Sequence, residues 1–177
     1  MPFGPIRQMA FMTRNLDESM RHFTEAFGIG PWFHEPEVGF RECLYRGASI
    51  NITIGAAIAY SGDLQIELIR ANDDTASIYT EFLDRYPRQL QLQHINVWVD
   101  DLPRATAEAI ARGFELIQTA TTGLGRLAYL SHPDQPDIAL EISDLQPAKA
   151  RMFEAARQAA RNWEGAEPYR RGFPLGG

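Results

Sequence analysis

Two stretches of this chain repeat the same order of polar and apolar residues at a nearly constant offset. Gln8 and His94 are 86 residues apart, Leu16 and Leu102 are 86 apart, and Gly28 and Gly113 are 85 apart. An offset that holds across a strand-like segment, a helix-like segment and the glycine ending that helix marks a duplicated unit. Duplication restricts the chain to folds in which two similar halves bury their apolar faces together. In the first half, 8–13 reads as a strand, and Asn15 caps a helix with Asp17 and Glu18 in its first turn. Leu16, Met20, Phe23 and Phe27 form that helix's apolar stripe, and Gly28 ends it. Extended pieces follow at 32–35, 40–45, 50–60 and 64–70, with Ser61-Gly62-Asp63 turning the last two into a hairpin. The second half gives a strand over 92–99, a helix opened by Asp101 with Pro103 in its first turn, and strands over 115–119, 126–131 and 138–143. The expected class is α+β: two tandem βαβββ units and a C-terminal helix. Unit one spans about 6–71 and unit two about 91–145, within one domain over 1–145. A connecting helix over 72–87 is capped by Asn72-Asp73-Asp74-Thr75. Residues 146–177 hold a helix from Pro147 to Trp163 and a Gly/Pro-rich tail.

The charge balance limits the partners. Seventeen Lys and Arg against 23 Asp and Glu give −6, the wrong sign for a phosphate-backbone surface, so no nucleic-acid partner is expected. No apolar run approaches the roughly 20 residues that span a bilayer, so no membrane partner is expected either. Cys43 is the single cysteine and cannot form an internal disulfide. The first residues lack the charged-then-apolar pattern of a secretion signal. Together these point to a reducing, cytoplasmic setting.

In a duplicated fold, equivalent positions meet around a pseudo-twofold axis, so matched polar residues are candidates for one shared site. Gln8 and His94 lie early on the first strand of each unit. Glu67 in LQIELI and Glu141 in IALEIS lie near the middle of each last strand. Each carboxylate sits between aliphatic neighbours, which alternation places on the opposite sheet face. A carboxylate in so apolar a strand needs a partner. A divalent cation is an adequate one, since Gln, His and two Glu offer a mixed O/N donor set of formal charge −2.

The segments QMAFMTRNLDESMRHFTEAFGIGPW, SGDLQIELI, LQHINVWVDDLPRATAEAIARGFEL and IALEI, across residues 6 to 145, resemble the vicinal oxygen chelate superfamily. That superfamily includes glyoxalase I, methylmalonyl-CoA epimerase, extradiol dioxygenases and the bleomycin and fosfomycin resistance proteins. The resemblance implies a cupped mixed sheet around one divalent metal, with Gln8, Glu67, His94 and Glu141 as ligands. It also implies a homodimer. The chain departs from the epimerase pattern at Gln8, where His is usual, and resembles glyoxalases that carry Gln there.

Oxygen-rich ligands permit Zn, Ni, Co, Mn or Mg. Two positions on a six-coordinate ion would remain for substrate oxygen, and a bound carbonyl acidifies its neighbouring C–H. The expected activity is that of a glyoxalase-like isomerase, epimerase or lyase on a small carbonyl compound or thioester, with Glu141 first and Glu67 second as the base. A ring-cleaving Fe(II) dioxygenase is the alternative enzyme, disfavoured because two His are needed and only His94 is in register. A non-catalytic antibiotic-type binder is the alternative outside enzymes. Glu37 and Glu42 fall in the region where the epimerase branch places a further acidic residue, and neither aligns firmly. His22, His34 and His132 lie off the register and read as surface or packing residues. Trp98 and Tyr45 are candidates for pocket walls, Trp32 and Phe33 for a mouth or dimer contact. Gly123-Leu124-Gly125 reads as a turn, and Arg70, Arg104 and Arg126 carry no assignment.

Overall fold

The computed structural model describes residues 3–174; residues 1, 2 and 175–177, at the ends of the two expected regions, lie outside them. The first unit begins with β1 (Ile6–Thr13), α1 (Leu16–Phe27) and β2 (Trp32–Gly39). It continues through a short hairpin, β3 (Glu42–Tyr45) and β4 (Ala48–Ser49), to β5 (Thr53–Ser61) and β6 (Leu64–Ala71). Helix α2 (Ile78–Arg85) leads to the second unit: β7 (Leu90–Val99), α3 (Leu102–Ala111), β8 (Glu115–Thr122), β9 (Gly125–His132) and β10 (Gln135–Asp144). Helix α4 (Pro147–Arg161) and a short β11 (Tyr169–Arg171) close the chain. This is the expected α+β architecture of two repeated halves and a C-terminal helix.

Local chemistry sets the helix ends. The Asn15 side chain accepts from the Glu18 N–H at 3.1 Å, and Gly28 takes the left-handed conformation, φ 67°, which costs a glycine nothing. Asp101 caps α3 in the same way through the Arg104 N–H at 3.0 Å. Three expectations are corrected. The connecting helix starts at Ile78, because Ser77 and Thr80 form a reciprocal capping box, while Asp73 closes a local turn onto the Thr75 N–H. Phe27 is 64% exposed, because only the first three residues of its stripe reach the sheet. The C-terminal helix ends at Arg161, two residues short of Trp163, and in the tail beyond it β11 pairs in parallel with β2.

The strands form one sheet in the order β11-β2-β5-β6-β1-β7-β10-β9-β8-β3-β4. The two halves join through antiparallel β1 and β7, where Met9 pairs with Ile95, its own counterpart at the 86-residue offset. The pseudo-twofold axis therefore crosses the sheet at that pair. Strands β2 and β3 lie eight steps apart in this order, a separation of about 38 Å if the sheet were flat. Yet only Phe40 and Arg41 connect them, a reach of at most about 11 Å. The sheet must therefore curl until its two sides nearly meet. Helix α1 packs outside β5 and β6, and α3 packs outside β9 and β10. The interior is filled by Met12, Ile54, Ile69, Tyr79, Tyr129 and their neighbours. Trp32, fully buried, and Phe33 belong to the core and form no mouth. Among the described residues no helix is long and apolar enough to cross a membrane.

Candidate metal centre

Alternation along the four central strands brings the polar residues of both units onto the floor of the curled sheet. Gln8 and Ala10 of β1 lie beside Gln65 and Glu67 of β6, and His94 and Asn96 of β7 lie beside Ala139 and Glu141 of β10. Of the four residues expected from the sequence, Gln8, Glu67 and Glu141 line one cavity of about 120 Å³, and His94 is fully buried beneath it. His94 Nε2 lies 3.1 Å from Glu141 Oε2 and 3.7 Å from Glu67 Oε2. The structure thus brings the four together.

Their surroundings differ. Asn96 donates through Nδ2 to Glu141 Oε1 at 2.5 Å and to Gln8 Oε1 at 3.0 Å, and Ser143 Oγ donates to Asn96 Oδ1 at 3.2 Å. Gln8 Nε2 donates to Gln65 Oε1 at 2.5 Å, and Gln65 Nε2 donates to the Tyr60 hydroxyl at 2.9 Å. Glu67 has no hydrogen bond among the described residues. Burial, together with the charge of Glu141, pushes the Glu67 carboxyl up to about 8. Burial acts on Glu141 in the same direction, but hydrogen bonding from a protonated His94 ring, that ring's charge and the Lys149 charge together outweigh it and hold the carboxyl below its ordinary range.

The imidazole tests whether a cation fits. His94 Nδ1 lies 2.5 Å from Gln93 Oε1, an acceptor, so Nδ1 carries a proton, and in the neutral ring, the form that binds a metal, Nε2 presents the lone pair. That buried Nε2 has no hydrogen-bond partner of acceptable geometry, although two carboxylate oxygens face it. A lone pair held against carboxylates in a dry floor is costly unless a cation lies between them. With bonds of about 2.1 Å, neighbouring ligands of an octahedral ion are about 3.0 Å apart and those of a tetrahedral ion about 3.4 Å, close to the spacings seen. Among the described residues no group of three or more His, Cys, Asp or Glu side chains is placed to hold a metal ion, so the fit rests on the donor chemistry of Nε2 and its facing oxygens.

Several residues of this site carried no sequence expectation: Asn96, Gln93, Gln65, Ser143, the edge-to-face pair Tyr79 and Tyr129, and Lys149. Asn96 shares the parity of His94, two residues on, and that signal was available. The Tyr79 and Tyr129 hydroxyls meet at 3.1 Å, and burial raises both far above the ordinary phenol range. Burial lowers the Lys149 ammonium, against the opposing pull of Glu141, Glu67 and Asp144.

Other candidates lie elsewhere. Trp98 stacks on Phe153 at 5.0 Å outside this cavity, and Tyr45 hydrogen-bonds Glu81. Glu37 is exposed on β2, and Glu42 lines an outer groove against α3. His22 is exposed, while His34 and His132, both half-buried, end up on β2 and β9 away from the site. Arg126 pairs with Asp144 at 3.1 Å, Arg70 with Asn72, and Arg104 is exposed.

Over residues 7–129 the chain matches the family described as the Glyoxalase/Bleomycin resistance protein/Dioxygenase superfamily. The chain belongs to that superfamily. No curated protein matches by sequence. The fold is similar to that of methylmalonyl-CoA epimerase from Mycobacterium tuberculosis, at 18% identity and TM-score 0.59 over 82% of this chain and 90% of that one. It is also similar to hypothetical protein BH1468 from Bacillus halodurans C-125, at 12% identity and TM-score 0.58 over 80% and 94%. A Streptomyces coelicolor methylmalonyl-CoA epimerase variant in complex with 2-nitronate-propionyl-CoA gives 12% and 0.58 over 82% and 96%. At these identities the likeness is one of fold. The family match ends at Tyr129, so Glu141 and all of α4 lie beyond it in this superfamily member.

Proposed function

We propose that this superfamily member is a divalent-metal-dependent isomerase, epimerase or lyase that moves a proton beside the carbonyl group of a small molecule or of a thioester's acyl end. The observation that carries the reading is the unpartnered His94 Nε2 facing Glu141 and Glu67 at the foot of a cavity. His94, Glu141, Glu67 and Gln8 would hold the ion, and Zn, Ni, Co, Mn and Mg all suit such donors. When bound, the ion would polarise the carbonyl oxygen and acidify the neighbouring C–H.

The chain's own residues divide the remaining tasks. Gln93 fixes the ring of His94, and Asn96 holds Glu141 Oε1 and leaves Oε2 facing His94 Nε2. Glu67, with no hydrogen bond to break, is the better proton carrier, which puts it ahead of Glu141 and reverses the order suggested by the sequence. Apolar walls such as Ile54, Ile58 and Phe40 keep water from the reacting carbon. On the resemblance alone we include a cytoplasmic homodimer in this reading, and gel filtration checks its size.

Elemental analysis of the purified protein tests the metal. About one equivalent of divalent ion is expected in the wild type and in His22→Ala, with a loss of affinity of more than about a hundredfold in His94→Ala. No metal in the wild type after reconstitution, or equal loss from both variants, overturns the assignment. With metal present, exchange of substrate C–H for deuterium in D2O, followed by NMR, reads the proton transfer. Tight ligand binding without exchange or product favours the binding-protein alternative.

A further inference from the structure

Helix α4 lies outside the duplicated units and outside the matched region, yet it covers the cavity with Lys149, Met152 and Phe153. Lys149 is nine-tenths buried, and its side chain lines the cavity together with Gln8, Glu67, Asn96 and Glu141. Among the described residues it has no ion pair and no hydrogen bond; its one close partner is the Phe153 ring, with Nζ 5.7 Å from the centroid. Its place in the first turn of α4 sets its charge against the helix dipole, so the position is an unfavourable one for a purely structural lysine. Asp144, the third carboxylate whose charge acts on Lys149, is already engaged by Arg126. Without a cation Lys149 shares the charges of Glu141 and Glu67; a bound divalent ion would be neutralised by those two carboxylates and would leave the buried Lys149 cation without a counter-ion. A buried charge needs a partner.

We propose that Lys149 is the anion-binding residue of this cavity and that the ligand is a small carbonyl compound carrying one carboxylate and a short apolar chain. The proposal rests on the metal reading above. The cavity, about 120 Å³, suits a small molecule, its floor offers the carbonyl-binding side, and apolar walls such as Ile54 and Ile58 accept a methyl or ethyl group. Lys149 approaches from the opposite element, α4, so it fixes which end of the ligand faces the floor and selects against neutral carbonyl compounds.

The test compares 2-oxobutyrate with 2,3-pentanedione, a neutral compound of the same heavy-atom count, by calorimetric titration of the Zn-reconstituted protein. Zinc content is measured on the same samples. The wild type should bind 2-oxobutyrate at least about tenfold more tightly than the dione. Lys149→Met should lose that preference while keeping its zinc and its affinity for the dione, and Lys149→Arg should restore part of it. Lys149→Met binding 2-oxobutyrate as well as the wild type overturns the proposal, as does a zinc-loaded wild type with no preference or no binding of either probe. A wild type that takes up no zinc removes the metal reading and this proposal together, whereas zinc uptake without anion preference removes the role of Lys149 alone.

Discussion

The two halves of the cup share a strand-helix-strands frame and differ in chemistry. Across the Met9–Ile95 axis, Ala10 corresponds to Asn96, Gln8 to His94, and Gln65 to Ala139. The second half is therefore the one that holds. Its carboxylate, Glu141, is gripped by Asn96, and its imidazole by Gln93. The first half leaves its carboxylate unheld, because Ala10 stands where an amide would be, and its own amides, Gln8 and Gln65, bond each other. In the proposed reading, duplication lets one copy serve as a fixed mount while the other keeps a carboxylate with freedom to react.

That division can be broken by experiment. The largest effect is expected from Glu67→Gln: the amide cannot take a proton, so turnover should fall by about 10²–10⁴-fold while most of the metal is retained. Metal analysis beside the deuterium-exchange rate checks it, and loss of metal with normal exchange per bound ion would exchange the roles of the halves. Next comes Asn96→Ala, which gives the second half the alanine of the first. Metal affinity should drop about 10–100-fold, read by competition with a chelator, because Glu141 is no longer oriented. The smallest effect is expected from Tyr60→Phe at the far end of the first half's amide chain. It removes the acceptor of Gln65 Nε2 and should cost about 1 kcal/mol in urea unfolding, with metal content unchanged. A change in metal content there would show that the two networks are one.

The repeat was legible because it is written in strand parity and helix punctuation, which survive divergence. It located Gln8, His94, Glu67 and Glu141 on one floor. Gln93 was hidden for a physical reason: simple alternation turns it away from His94, but the β1–β7 register skips it, pairing Ala10 with His94 and Phe11 with Leu92. This bulge lets two consecutive side chains be buried. No local residue pattern announces such a bulge. Lys149 was hidden because α4 has no counterpart in the repeat, so no matched position drew attention to it. The pairing of β3 with β8 was equally invisible, since its partner lies more than 70 residues away in the other half. Burial of Trp32 went unread because an aromatic after a Gly-Pro break looks the same in sequence whether it faces solvent or core.

The link of two residues between β2 and β3 gives the cup a fixed girth. The sheet cannot unroll to admit a bulkier molecule without breaking the β3–β8 ladder, to which the Arg41 N–H also belongs through the Thr121 carbonyl, at 2.8 Å. The chamber's size limit is thus written in backbone length, while its chemical character is written in side chains. Lengthening the chain at Phe40 and Arg41 would resize the chamber and leave its floor untouched, so selection could adjust the dimensions of the ligand independently of its chemistry.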